Sequence, residues 1–175
     1  MPILCRVTRG DLTESIHVVF AVAVDETGTV FYSTGDPYYL TCIRSSLKPF
    51  QAAAAVKAGA VDSAGFSDAE LAMMCASHSG EDIHVNTVHS MLNKLGFSTA
   101  DLECGSHFPS DKITRHKMIK EGKSAESIHN NCSGKHAGML ALAKHLDQGI
   151  KGYIQKGHPV QKEIFNLVQI GRASC

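Results

Sequence analysis

The 175-residue sequence has no excess of either charge: 17 Lys and Arg stand against 17 Asp and Glu. That balance argues against electrostatic capture of nucleic acid or of an anionic membrane surface. No apolar run approaches the roughly 20 residues that cross a bilayer. The opening MPILCRVTRG has no basic leader ahead of an apolar stretch, so no signal peptide is expected. Repeats and low-complexity tracts are absent, and 43% hydrophobic with 19% charged residues is not a disordered composition. These absences leave a cytoplasmic globular protein, expected as a single domain over residues 1–175 and long enough to bury a real core. Six cysteines (Cys5, Cys42, Cys75, Cys104, Cys132, Cys175) are then expected as mostly reduced thiols. With ten histidines beside them, metal binding stays open.

Strand signals come first along the chain. Leu4 to Thr8 and His17 to Val24 read as extended, the second with apolar residues on both faces and so expected to be buried on both. Asp25-Glu26-Thr27-Gly28 predicts a turn into a further strand over Thr29 to Ser33, giving a hairpin. Helical signals follow. Ser45 or Ser46 can cap a helix that carries Pro49 in its first turn and ends at Gly59. Ser67 and Glu70 have capping-box spacing. Residues 81–95, 111–120, 137–145 and 159–168 complete the set, with Ile83, Val88, Met91 and Leu95 as one apolar stripe. Strands before helices predict an α+β fold, helices packed on a mainly antiparallel sheet.

Three stretches have the residue types that chemistry needs. In Arg44-Ser45-Ser46-Leu47-Lys48-Pro49, a serine stands three places before a lysine on one helical face. A lysine freed of its proton by burial or a nearby cation can serve as base to such a serine. The plainer alternative is a capping serine followed by a solvated lysine. The second stretch, Cys75-Ala76-Ser77-His78-Ser79-Gly80-Glu81, lies at a helix junction and can present donors to an anionic substrate group. Equally, it can be the capped start of a helix. In the third, Asn131-Cys132-Ser133-Gly134-Lys135-His136, Cys132 and His136 have the spacing of half a zinc site, but no Cys-x-x-Cys completes it. The Ser-Gly-Lys within it lacks the earlier glycine of a nucleotide-binding loop.

In order and spacing, RSSLKPFQA at 44–52, MCASHSGED at 74–82, CGSH at 104–107 and NCSGKHAGML at 131–140 resemble the asparaginase II family, the rhizobial-type thiol-containing L-asparaginases. The resemblance runs from about residue 5 to about residue 168. It implies a fold of the serine β-lactamase and glutaminase type, a homodimer, and hydrolysis of L-asparagine to L-aspartate and ammonia. By motif, Ser45 corresponds to the nucleophile, Lys48 to its base and Ser77 to a second catalytic serine that partners a later lysine. Arg44, His78 and Ser79 fall where the substrate would be shaped and bound. The family's zinc maps onto Cys132 and Lys135 rather than His136.

The resemblance also marks departures. Family chains are about twice as long, so this one is expected to carry roughly the N-terminal half of the pattern. Its ending IGRASC does not match the segment with the later zinc cysteine, for which Cys175 would be a substitute. The lysine paired with Ser77 has no counterpart. Two other readings therefore stand beside an active asparaginase. One is a non-catalytic or truncated asparaginase-like domain that binds metal or a partner. The other is a Ser-Lys peptidase or β-lactamase relative.

Overall fold

A computed structural model describes residues 3–172, with side chains as far as Val168. Its chain divides into two compact units, Met1–Ile43 with Gln169–Cys175 and Arg44–Val168. The architecture is mixed α and β, with two small antiparallel sheets and seven α-helices among the described residues.

The first unit contains two hairpins. Strand β1 (Ile3–Arg9) pairs with β2 (Leu12–Val19) across a tight Gly10-Asp11 turn, and β3 (Ala21–Val24) pairs with β4 (Val30–Thr34). The continuous strand expected over 17–24 is thus split at Phe20, its two parts serving different hairpins. The expected turn after Val24 is present. Asp25 Oδ1 accepts from the backbone N–H groups of Thr27 and Thr29 at 2.8 and 2.9 Å, an Asx arrangement that closes the loop. Burial departs from expectation. Val18, Phe20, Val22 and Val24 are all exposed, each sheet having only two strands, and the Phe20 ring stacks on Tyr39 with centroids 4.5 Å apart.

The second unit is helical: α1 (Lys48–Lys57), α2 (Ala60–Ser63), α3 (Asp68–Cys75), α4 (Asp82–Leu95), α5 (Lys112–Lys120), α6 (Ser133–His145) and, as far as Val168, α7 (Pro159–Arg172). Helix α6 is its axis and packs against α1, α2, α3 and α4. Ala137, Leu140, Ala141 and Leu142 of α6 are buried with Met74 of α3 and with Val88, Met91 and Leu92 of α4. The core therefore lies among helices. Ile83, expected on the α4 stripe, is exposed at the first turn, and Leu92 takes the inward position.

Local signals account for several boundaries. Ser67 and Glu70 form the capping box that opens α3, and the buried Glu70 carboxylate also accepts from Ser90 Oγ at 2.7 Å and Lys94 Nζ at 2.6 Å. A hydrogen-bonded partner on each oxygen is what allows that carboxylate to be buried. No helix among the described residues is long and apolar enough to cross a membrane.

Two glycines decide how α6 meets α3. A Cβ at Gly134 would collide with the Met73 carbonyl oxygen and side chain, and one at Gly138 would collide with the Met74 side chain. Their i, i+4 spacing puts both bare positions on one face, so α6 can lie directly on the C-terminal half of α3. The segment that leaves α3, which carries Ser77, is placed by that contact.

Candidate active site

Residues Arg44–Leu47 form a single 3-10 turn leading straight into α1. Arg44 has φ 49°, in the left-handed region where a residue with a Cβ is uncommon. Such backbone strain is found preferentially at functional positions, and here it immediately precedes Ser45. Ser45 and Ser46 are exposed and neither caps the helix, because the turn continues into α1 with Leu47 at the N-cap. Pro49 sits in the first turn, where a missing N–H costs nothing.

Lys48, the first residue of α1, is buried, at 3% exposure. Its Nζ donates to the Ala76 carbonyl and to Ser77 Oγ, both at 2.6 Å. Ser77 Oγ in turn donates to Ser45 Oγ at 3.4 Å. The sequence spacing pairs Lys48 with Ser45, but in the fold the lysine reaches the serine through Ser77. The cause lies at the end of α3. Ala76 is the C-cap there, and its free carbonyl at the negative end of the helix is a strong acceptor for a lysine. Lys48 is drawn inward to that carbonyl, and the next residue along supplies the hydroxyl. Two exposed hydroxyls and one buried amine thus form a continuous hydrogen-bonded chain.

The other candidate residues occupy different positions. Arg44 is exposed beside the serine turn. Ser79 is half-buried, and its carbonyl accepts from Asp111 N–H at 3.1 Å, which fastens the Ser77 loop to the start of α5. His78 is buried, with Nε2 2.8 Å from Ser133 Oγ and Nδ1 accepting from Gly80 N–H at 3.2 Å. Burial, reinforced by His84 and Lys48 nearby, pushes the imidazole pKa down to about 4.

Cys132 is the N-cap of α6 and Lys135 lies one turn further, both half-buried. Asn130 holds the loop in front of them. Its Oδ1 accepts from Cys132 N–H at 2.9 Å, while its Nδ2 donates to the carbonyls of Cys104 and Gly105 at 2.7 and 3.2 Å. This amide clamp, which the sequence did not single out, brings the CGSH segment beside Cys132. Cys104 donates to the Ser127 carbonyl at 3.4 Å, and burial raises its thiol pKa to about 11. His136, the spacing-based partner of Cys132, is committed elsewhere, since its Nδ1 lies 2.8 Å from Tyr153 Oη in the core.

A thiol and an amine three residues apart on one helical turn are donors that zinc accepts. They amount to two ligands. No group of three or more His, Cys, Asp or Glu residues suited to a metal exists among the described residues, and Cys175 lies outside them. The donor set is therefore partial, and no chemical step is derived through a metal. The five described cysteines are free thiols, as expected of reduced residues.

No curated protein matches the chain significantly. The family model for L-asparaginase II matches residues 5–170, a span that contains the serine turn, the Ser77 loop, Cys104 and the Cys132–Lys135 turn. The chain belongs to the L-asparaginase II family.

Proposed function

We propose that this chain hydrolyses the side-chain amide of L-asparagine to L-aspartate and ammonia, with Ser45 as nucleophile and Ser77 relaying protons to and from Lys48. The observation that carries this reading is the hydrogen-bonded chain from Lys48 Nζ through Ser77 Oγ to Ser45 Oγ. The family's name denotes an amidohydrolase of asparagine, and a hydroxyl with a hydrogen-bonded path to an amine supplies the nucleophile and base that acyl transfer uses.

The steps follow from the order of the chain. Ser45 Oγ attacks the side-chain carbonyl carbon as its proton moves to Ser77, whose own proton moves to the Lys48 amine. The carbon–nitrogen bond then breaks. Lys48 returns its proton through Ser77 to the departing nitrogen, which leaves as ammonia. Water enters by the same route: it gives a proton to Ser77, adds to the ester carbonyl and releases aspartate with Ser45 reprotonated. Hydroxyl hydrogens rotate freely, so one geometry serves both directions. Transfer of this kind is worth about 10²- to 10⁴-fold in rate.

Zinc enters this reading as an ion that Cys132 and Lys135 would hold, where it would orient substrate or fix the loop before α6. A second copy of the chain is the proposed partner. The exposed Leu12, Ile16, Val18 and Phe31 of the hairpins support association, which sedimentation of the purified protein tests directly.

The functional test is ammonia release from L-asparagine, with Ser45→Ala as control. Release abolished by the substitution supports the reading. No release above the control overturns it and leaves an asparaginase-like domain that binds without turnover.

A further inference from the structure

His78 follows Ser77 directly, yet its ring turns away from the hydroxyl chain and into the protein. Its two nitrogens have different work. Gly80 N–H donates to Nδ1, so the single proton of the neutral ring sits on Nε2 and is donated to Ser133 Oγ. Ser133 Oγ–H in turn donates to the Ile128 carbonyl at 2.9 Å. The result is a one-directional chain, imidazole to hydroxyl to carbonyl, anchored in the first turn of α6. The backbone repeats the tie, with His78 N–H donating to the Asn131 carbonyl at 3.2 Å.

The same loop is gripped from its other side. Gly80 has φ 82°, and a Cβ there would come within 2.9 Å of Pro109 Cβ. His84 stacks on the His78 ring with centroids 5.3 Å apart. A ligand at Ser45 and Ser77 therefore finds no free nitrogen on His78. What the ring holds is the peptide next to Ser77. That peptide must keep one hydroxyl within reach of both Lys48 and Ser45.

From this geometry we infer that His78 is a positioning residue: its Nε2–H tautomer, bonded to Ser133, fixes the Ser77 loop so that Ser77 Oγ stays between Lys48 Nζ and Ser45 Oγ. The inference rests on the amidohydrolase reading, since it is that proton path which His78 serves. It assigns Ser133, the first residue of α6, a role in the same tie.

The test uses four variants of the full chain and L-asparagine as substrate. His78→Asn keeps an acceptor near the Nδ1 position but cannot reach Ser133, and Ser133→Ala removes the receiving hydroxyl. Each is expected to lower kcat for ammonia release about 10- to 100-fold with KM changed less than about twofold, the effect of a displaced catalytic group. The double variant falls no further than the worse single one, because both cut one tie. His78→Gln, whose amide N–H reaches the Nε2 position, recovers most of kcat. A His78→Asn enzyme with unchanged kcat, a rise in KM alone, or losses that multiply in the double variant would overturn the inference.

Long-range proton–nitrogen spectra of the wild-type imidazole keep the question decidable if a variant does not fold. The Nε2–H tautomer at His78 is expected, and the Nδ1–H tautomer contradicts the tie. Wild-type protein that releases no ammonia removes the amidohydrolase reading itself. Wild-type protein that is active beside an equally active His78→Asn removes only the role of His78.

Discussion

Lys48 Nζ lies 2.6 Å from Ser77 Oγ, although 29 positions separate the two residues in the chain. The contact joins the first turn of α1 to the segment leaving α3, and under the proposed mechanism it sets the order of the proton path. If Lys48 acts on Ser45 through Ser77, removing the middle hydroxyl interrupts the path while nucleophile and base both remain. Ser77→Ala is therefore expected to lower kcat about 10²- to 10³-fold, nearly as much as Lys48→Met, with little change in KM. The Ser77→Ala/Lys48→Met double variant should be about as slow as either alone. Steady-state ammonia release from the three proteins decides the matter. A Ser77→Ala enzyme that keeps a large share of its kcat means that Lys48 reaches Ser45 without the relay.

Zinc provides a readout that needs no turnover. Cys132 and Lys135 stand one turn apart at the start of α6, and thiolate is the stronger zinc ligand. Protein dialysed against zinc and then against buffer is expected to retain about one zinc per chain by elemental analysis. Cys132→Ala should retain none, and Lys135→Ala should bind more weakly. Wild-type protein that comes out of the second dialysis free of zinc ends the metal claim, whatever its activity.

Local chemistry was legible in the sequence and long-range chemistry was not. The Ser67–Glu70 capping box and the Asp25 turn are formed by residues within five positions of one another, so their spacing alone specifies them. The Ser-x-x-Lys motif is also local, and both residues lie where its spacing puts them. Its expected pairing gave way because Lys48 has a better acceptor in Ala76, the C-cap carbonyl of a different helix. No periodicity in the sequence encodes that approach. The clamp made by Asn130 and the His78–Ser133 tie are equally distant in sequence. One signal was available and passed over. The Gly134/Gly138 pair marks a close helix crossing, and on α6 it points to α3 and so to Ser77. In the hairpins, the apolar run over 17–24 predicts one strand, and the fold divides it at Phe20 between two sheets. What it could not reveal is that Val18, Val22 and Val24 stay exposed.

The buried His78 makes stability depend on acid in a calculable direction. Its folded-state pKa is about 4, below the 6.5 of a free imidazole, because burial disfavours the cation. Between those values the unfolded chain binds the proton and the folded chain does not. Stability from this group is complete above about pH 6.5 and declines as pH falls towards 4, by about 3 kcal/mol in total. His78→Asn lacks that titration. Urea unfolding at pH 7 and at pH 4.5 should therefore show a smaller acid loss for the variant than for the wild type. Equal losses would mean that His78 is already protonated in the fold or reaches solvent.

Gly134 offers the sharpest test of the helix crossing, because propensity and packing push in opposite directions there. Alanine is the better helix former by about 1 kcal/mol, so Gly134→Ala on an uncrowded helix would stabilise the protein. In α6 the new methyl meets the Met73 carbonyl oxygen, which is backbone and cannot swing aside. The helices must separate, and overpacking of this kind costs about 1–3 kcal/mol. A net destabilisation near 2 kcal/mol is expected in chemical denaturation. Gly149→Ala, with nothing within 4 Å of its Cβ, serves as the neutral control. Because Met73 lies four residues before Ser77, the separation also moves the relay hydroxyl away from Lys48, and kcat should fall together with stability. A Gly134→Ala protein as stable and as active as the wild type would show that α6 and α3 do not touch along this face, and the placement of Ser77 would then need another cause.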